Sequence, residues 1–431
     1  MQRKNIDLMA PVGSYESLMA AIQAGANSVY FGIEKLNMRA RSSNNFTFED
    51  LKNIVNICNK AGVKTYLTVN TVIYDQELEK MRQVIDAAAE AKVTAVIVSD
   101  VAVMQYARKK GVEVHASTQL NISNIEAVEF YSQFCDVIVT ARELSLDQVA
   151  EIIYQIKEKN IKGPAGENVK IEVFCHGALC MAISGKCYMS LHEYNHSANR
   201  GECLQNCRRT YILKDKESDT EIEVDNEYLM SPKDLSTISF IDKILNAGIS
   251  VLKIEGRARS AEYVKTVVEC YNEAINAVLD NTYNQEKIDA WTQRLSTVFN
   301  RGFWNGYYLG QRLGEWAKQH GSKATKTKVF LGKVLNYYSN IGVAEIKLET
   351  DEELYIKDEV VFLGPTTGVV QQFVKEIHFD YKVVEKVGQG DLFSLKTDEL
   401  VRRGDKLYKL ANTEELKKRN RERRNIAGKN E

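Results

Sequence analysis

Eight short apolar runs recur through the first 254 residues with helical patterns between them, and this alternation restricts the fold more than any other feature. The runs are 6–10, 28–31, 64–69, 95–98, 112–116, 137–140, 171–175 and 250–254. Ser14 opens the helical stretch YESLMAAIQAG and Thr47 opens FEDLKNIVNICNKAG, while Ser145 with Gln148 forms a capping box before the next. Gly25 and Gly62 sit where helices should stop. Strands that alternate with helices pair in parallel, and a count of eight predicts a closed (β/α)8 barrel of the TIM type over residues 1–282.

In such barrels the chemistry gathers where the strands end. At or just after the ends of the runs stand Asn70, Asp100, His115, Ser117, Gln119, Arg142, His176, Glu255 and Arg257. Asp100 and Ser117 fit equally well as helix caps. His115, Arg142, His176 and Arg257 fit capping less well and are candidates for the site.

The regular spacing fails once, between the seventh and eighth runs. The excess chain, at about 176–232, holds Cys180, Cys187, Cys203 and Cys207 and a predicted hairpin, TYILKDKESDTEIEVDNEYLM. An insertion there would lie over the barrel mouth.

Beyond the barrel, residues 283–325 form an aromatic-rich connector with Trp291, Trp304 and Trp316. These rings suit either nucleobase stacking or packing. From Lys326 the pattern becomes alternating and β-branched, which predicts a small all-β barrel at 326–412 that serves RNA binding or a structural role. Residues 413–431 read as a basic helix or tail.

The start, MQRKNIDLMAPVGSYESL, has no long apolar core of a leader, and no apolar run of membrane-spanning length follows, so a cytoplasmic protein with no membrane partner is expected. In a reducing compartment clustered cysteines are metal or redox groups rather than disulfides. With 57 basic and 58 acidic residues, any nucleic acid must be held by a local patch.

The four clustered cysteines are spaced C-x6-C-x15-C-x3-C. Zinc sites more often use C-x2-C or C-x4-C, whereas an iron-sulfur cubane accepts wider spacing. Iron-sulfur, zinc and unrelated thiols all remain open on spacing alone. Cys58, Cys135, Cys175 and Cys270 lie in apolar patterns and read as packing.

The stretch EVFCHGALCMAISGKCYMS around Cys180 and Cys187, followed by NRGECLQNCR around Cys203 and Cys207, resembles the signature of the peptidase U32 family. LMAPVGSYESLMAAIQAGANSVYFG, KIEGR at 253–257 and FNRGF at 299–303 extend the resemblance over nearly the whole chain. Within that family the chain is most similar to the branch that hydroxylates tRNA.

That resemblance implies a prephenate-dependent enzyme that makes 5-hydroxyuridine at the wobble position of the tRNA anticodon loop. It implies a [4Fe-4S] cluster on Cys180, Cys187, Cys203 and Cys207. In related ubiquinone-pathway proteins one ligand comes from elsewhere in the chain, so the first three are the common set. Arg39, Arg142, Arg200 and Arg257, with Asn70 and Gln119, are the candidates to hold prephenate, a dicarboxylate. His176, His115 and Glu255 are the candidates to move protons. Homo-oligomers or a hetero-oligomer with a paralogue fit the same family. The competing readings are a collagenase-like peptidase, a hydroxylase of rRNA or of a small aromatic molecule, and a zinc-stabilised RNA-binding protein without catalysis.

Overall fold

The computed structural model describes residues 2–41, 45–212, 217, 228, 230–311, 314–319 and 321–427. Most of the predicted hairpin at 210–230 lies outside the described residues. All eight predicted runs are strands of one barrel. They are β1 (Asp7–Pro11), β2 (Ser28–Phe31), β3 (Lys64–Val69), β4 (Ala95–Val98), β5 (Glu113–Ala116), β6 (Val137–Val139), β7 (Lys170–Ala178) and, after a short β8 (Asp234–Ser236), β9 (Val251–Ile254). Each pairs in parallel with the next, and the ring closes because β9 pairs in parallel with both β1 and β7.

Buried on both faces, these strands are near-continuous apolar runs, which is why their positions could be read from the sequence. One face packs on the helices through Leu8, Val29, Leu67, Val96, Val114 and Leu252. The other turns Met9, Tyr30, Tyr66, Ile97, Val137 and Val251 into the lumen.

The barrel helices are α1 (Tyr15–Gln23), α2 (Phe48–Lys60), α3 (Leu78–Glu90), α4 (Val101–Lys109), α5 (Ile125–Ser132) and α6 (Leu146–Glu158). The Cys-rich insertion carries a short α7 (Met189–Tyr194), and then come α8 (Ile241–Asn246), α9 (Ala261–Leu279) and α10 (Gln285–Ser296). Ser14, Thr47 and Ser145 cap α1, α2 and α6 through their side chains as expected.

Two rim strands, one just after the insertion and one in the connector, were not anticipated. β8 runs antiparallel to the end of β7, and β10 (Phe303–Trp304) lies parallel to β8. Runs of two and three residues carry no periodic signal of their own.

Two of the connector's tryptophans are packed into the core. Trp291 and Trp304 are each only 5% exposed; Trp291 donates to Glu273 Oε2 at 2.8 Å, and the Tyr308 hydroxyl donates to the Phe174 carbonyl at 2.8 Å.

The C-terminal region forms a separate antiparallel sheet. Its strands are β11 (Lys326–Tyr338), β12 (Val343–Leu348), β14 (Glu359–Gly364), β15 (Gly368–Phe373), β16 (Ile377–Phe379), β17 (Lys382–Val384), β19 (Leu392–Lys396) and β20 (Lys406–Asn412), in the order β15-β14-β20-β11-β12-β19-β16-β17. β13 (Leu354–Tyr355) and β18 (Lys386–Val387) make a small ribbon beside it. The sheet has its own core, including Leu331, Ile346, Phe362 and Phe393. It docks on the barrel where Val361 and Val369 meet Ala20 and Ala261, and Gln23 bonds the backbone of Thr367 and Val369. The chain then enters α11 (Thr413–Ala427). Among the described residues no helix is long and apolar enough to cross a membrane.

Candidate active site

The end of β9 builds the floor of the barrel mouth. In a strand every second side chain shares a face, so Lys253, Glu255 and Arg257 all turn inward. Lys253 Nζ bonds Glu172 Oε1 at 2.8 Å and lies 4.7 Å from the centre of the Tyr30 ring. Arg257, 5% exposed, donates from Nη1 to Asn37 Oδ1 at 3.0 Å and to Thr68 Oγ1 at 2.9 Å. Burial lowers its pKa to about 10.

Glu255 sits among cations. Arg39 Nη2 meets its Oε1 at 2.5 Å, and the Tyr30 hydroxyl donates to Oε2 at 3.2 Å. Burial alone would push this carboxyl up, but Arg39, Arg142 and Arg257 outweigh it and hold the group down at about 2. Arg142 lies over the Phe174 ring, 4.0 Å from its centre, and its buried Nε has no hydrogen-bond partner among the described residues. Beside this group Asn70 donates to Ser117 Oγ and Gln119 Oε1, both at 3.2 Å. Arg39, Arg142, Arg257 and Glu255 are therefore brought together at the mouth, with Asn70 and Gln119 on the rim.

The remaining predicted groups fall elsewhere. His176 is 2% exposed and faces α9 and β10, with Nδ1 3.3 Å from the Tyr271 hydroxyl and its ring against Tyr263, Tyr271 and Phe303. A bulge in β7 between Phe174 and His176 turns it there. Burial, with a push from Arg259, holds its pKa down at about 3. His115 lies within the barrel against Tyr66, and its Nε2 meets Glu113 at the first residue of β5, pointing away from the mouth. Arg200 donates from Nη1 and Nη2 to the two carboxylate oxygens of Glu77 and stacks on Tyr74, so it fastens the insertion instead of facing the lumen.

The insertion folds down on the rim. Arg41 N donates to the Gly201 carbonyl at 3.2 Å and Val72 N to that of Asn199 at 3.3 Å. A Cβ on Gly201 would lie 2.2 Å from the Asn37 carbonyl oxygen, so only glycine allows this approach. Arg208 ties the neck, donating to the Leu179 carbonyl at 2.5 Å and the Pro232 carbonyl at 2.7 Å.

This docking sets the cysteines beside the mouth. Burial pushes the Cys207 thiol up to about 11; Arg208 opposes that rise, and the thiols of Cys180, Cys203 and Cys187 add to it. The charge of Cys203 also reaches Arg39. Cys207 thus feels the other three sulfurs, and Cys203 is the one within electrostatic reach of Arg39. Among the described residues no group of three or more His, Cys, Asp or Glu side chains is gathered to hold a metal ion. Four thiolates are the donor set that a zinc ion or an iron-sulfur cubane requires.

Sequence reasoning passed over Lys253, Glu172 and Arg208. The first two had a signal, since a charge in the middle of an apolar barrel strand must point into the lumen. Arg208 had none, because its partners are backbone carbonyls far apart in sequence.

A model of Peptidase family U32 matches residues 13–318. A protein named collagenase from Porphyromonas gingivalis (strain W83) is 60% identical over 415 residues, covering 96% of this chain and 100% of that one. The tRNA hydroxylation protein P1 of Bacillus subtilis is 34% identical over 84% of each chain. The 23S rRNA 5-hydroxycytidine C2501 synthase of Escherichia coli is 31% identical over 72% of this chain and 46% of that one.

Proposed function

The chain belongs to Peptidase family U32, and we propose that it hydroxylates RNA, forming 5-hydroxyuridine at the wobble position of tRNA with prephenate as co-substrate and a [4Fe-4S] cluster on Cys180, Cys187, Cys203 and Cys207. The observation that carries this reading is the set of four thiols beside a cationic barrel mouth. Arg39, Arg142, Lys253 and Arg257 lie with Glu172 and Glu255 at the mouth, an excess of two positive charges among these six residues. A dicarboxylate such as prephenate balances that excess, and Arg142 Nε is a buried donor in want of an acceptor.

A cluster held by the four cysteines would supply one-electron redox chemistry at the mouth. The chain's own side chains do the rest. The arginines orient the dicarboxylate, Asn70 and Gln119 offer neutral bonds at the rim, and the insertion limits water. Glu255, held ionised, fixes Arg39 in place. A splayed anticodon base reaches such a mouth without the cost of leaving a duplex stack.

The test is anaerobic purification of wild type and Cys187→Ala with iron and sulfide analysis, followed by nucleoside analysis of tRNA treated with and without prephenate. About four iron and four sulfide per chain, lost in the variant, together with prephenate-dependent 5-hydroxyuridine, are expected. Metal-free or zinc-loaded protein after cluster reconstitution, with unchanged tRNA, removes the proposal.

The name of the 60% identical relative favours a second reading, peptide hydrolysis. Against it, among the described residues no hydrogen bond joins a serine, threonine or cysteine side chain to a histidine ring, and His176 is turned into packing. Collagen cleavage that survives removal of the cluster would support it.

A further inference from the structure

A cleft of about 550 Å³ opens between the barrel and the C-terminal sheet, with Arg257 of the mouth among its lining residues. The loop after β1 and the start of α9 form one wall, and β11, β14 and β20 form the other. Cations enter it from both sides: Arg41 and Arg259 from the barrel, Lys328 and Lys406 from the sheet. Glu16 is the carboxylate among the lining residues.

Of these cations Lys328 has an acidic partner, Glu262 at 2.9 Å. Among the described residues Lys406 and Arg259 form no ion pair and no side-chain hydrogen bond; the Arg259 guanidinium rests on the Phe299 ring, 3.5 Å from its centre. Stacking leaves the edge of a guanidinium free to donate. The first turn of α9 also faces the cleft without a side-chain cap from Ser260.

The groove does not stop at the cleft. Arg41 also lines a second one, of about 500 Å³, with Lys35 beside it and the insertion as its other wall, where Arg200 is paired with Glu77 and Glu202 also faces in. A track therefore leads from the C-terminal sheet, past Arg41, to the insertion that carries the cysteines. Small phosphorylated molecules would fill one end of it. An extended polyanion would use its length.

From the cleft and this track we infer that the groove between barrel and C-terminal sheet holds backbone phosphates of the RNA whose base enters the mouth. The inference rests on the RNA reading above and adds the part of the molecule that grips the strand. It gives the C-terminal sheet a role, supplying Lys328 and Lys406 as phosphate contacts.

The test measures binding of a short RNA hairpin by fluorescence anisotropy over a series of salt concentrations, using the full chain and the variants Lys406→Ala, Lys406→Glu and Lys375→Ala. Lys406 is exposed on a strand, so its replacement should leave the fold intact, and a thermal melt checks this. Lys406→Ala should reduce the slope of log affinity against log salt by about 1. Lys406→Glu should weaken binding about tenfold, while Lys375→Ala, outside the cleft, should match wild type.

Wild-type affinity and slope in both Lys406 variants, with hydroxylation intact, would overturn the inference and leave the proposed function standing. Tight binding of AMP or inorganic phosphate that is lost in Lys406→Glu, with RNA binding unchanged, would assign the cleft to a small phosphorylated ligand and overturn it as well. Wild-type protein with no RNA affinity would remove both.

Discussion

Arg39 Nη2 and Glu255 Oε1 meet at 2.5 Å across the barrel mouth, so the loop after β2 is pinned to the end of β9 by one ion pair. The carboxyl's pKa falls from 4.5 to about 2 on folding. A depressed carboxyl stabilises the fold above its unfolded pKa and loses that contribution as pH falls through the folded value. Glu255→Gln should therefore cost on the order of 3 kcal/mol at pH 7, with the difference from wild type shrinking between pH 4.5 and pH 2. Urea unfolding across that range measures it, and a difference that stays constant would contradict the assignment.

His176 is expected to stay neutral. Its pKa falls from 6.5 to about 3, so the unfolded chain takes up a proton first and this group's contribution to stability declines as pH drops from 6.5 toward 3. Its imidazole resonance should not titrate between pH 5 and pH 8. A midpoint near 6.5 would return it to the list of proton carriers.

Iron content should separate the cysteines into two groups. Replacing Cys180, Cys187, Cys203 or Cys207 with alanine should abolish a bound cluster. Cys175→Ala should keep it, because the Cys175 thiol is buried and donates to the Lys253 carbonyl at 3.4 Å. Its cost should be a loss of about 1–2 kcal/mol in stability. Full iron in a variant of the first group would remove that residue from the ligand set.

Lys253 and Glu172 are 5% and 0% exposed. Breaking such a pair strands a buried charge, so Lys253→Met should destabilise by about 3–5 kcal/mol, whereas Lys253→Met with Glu172→Leu should recover much of the loss. Chemical denaturation of the three proteins gives the coupling. Equal stability of the single and double variants would show that the charges do not depend on one another.

Arg200 and Glu77 lie partly exposed, so their pair should contribute no more than about 1 kcal/mol to global stability. Its effect should be local. Arg200→Ala should speed amide exchange at 198–202, and exchanging the two charges should restore protection. Unchanged exchange would mean that the backbone bonds from Arg41 and Val72 hold the insertion alone.

The sequence revealed the barrel because each buried parallel strand is an apolar run, and Ser14, Thr47 and Ser145 mark helix starts by chemistry that needs no tertiary context. It revealed Glu255 and Arg257 because they end a strand. His176 was placed at the rim for the same reason, and there the argument failed: one extra residue in β7 reverses the expected facing, and nothing in EVFCHGA announces a bulge. Arg200 looked like a rim guanidinium until its partner, Glu77, came from a loop 123 residues away. Long-range pairing of this kind leaves no local pattern.

The hydrogen bonds that close the ring run directly from β7 to β9, and the cysteine-bearing segment between them hangs from a neck clasped by Arg208. Cysteine-bearing head and scaffold are thus physically separable: the head can lengthen, shrink or change its cysteine spacing while the barrel beneath keeps its register. A lineage built this way can try new substrates by remodelling one appendage, which is a route to proteins of similar sequence and different trade.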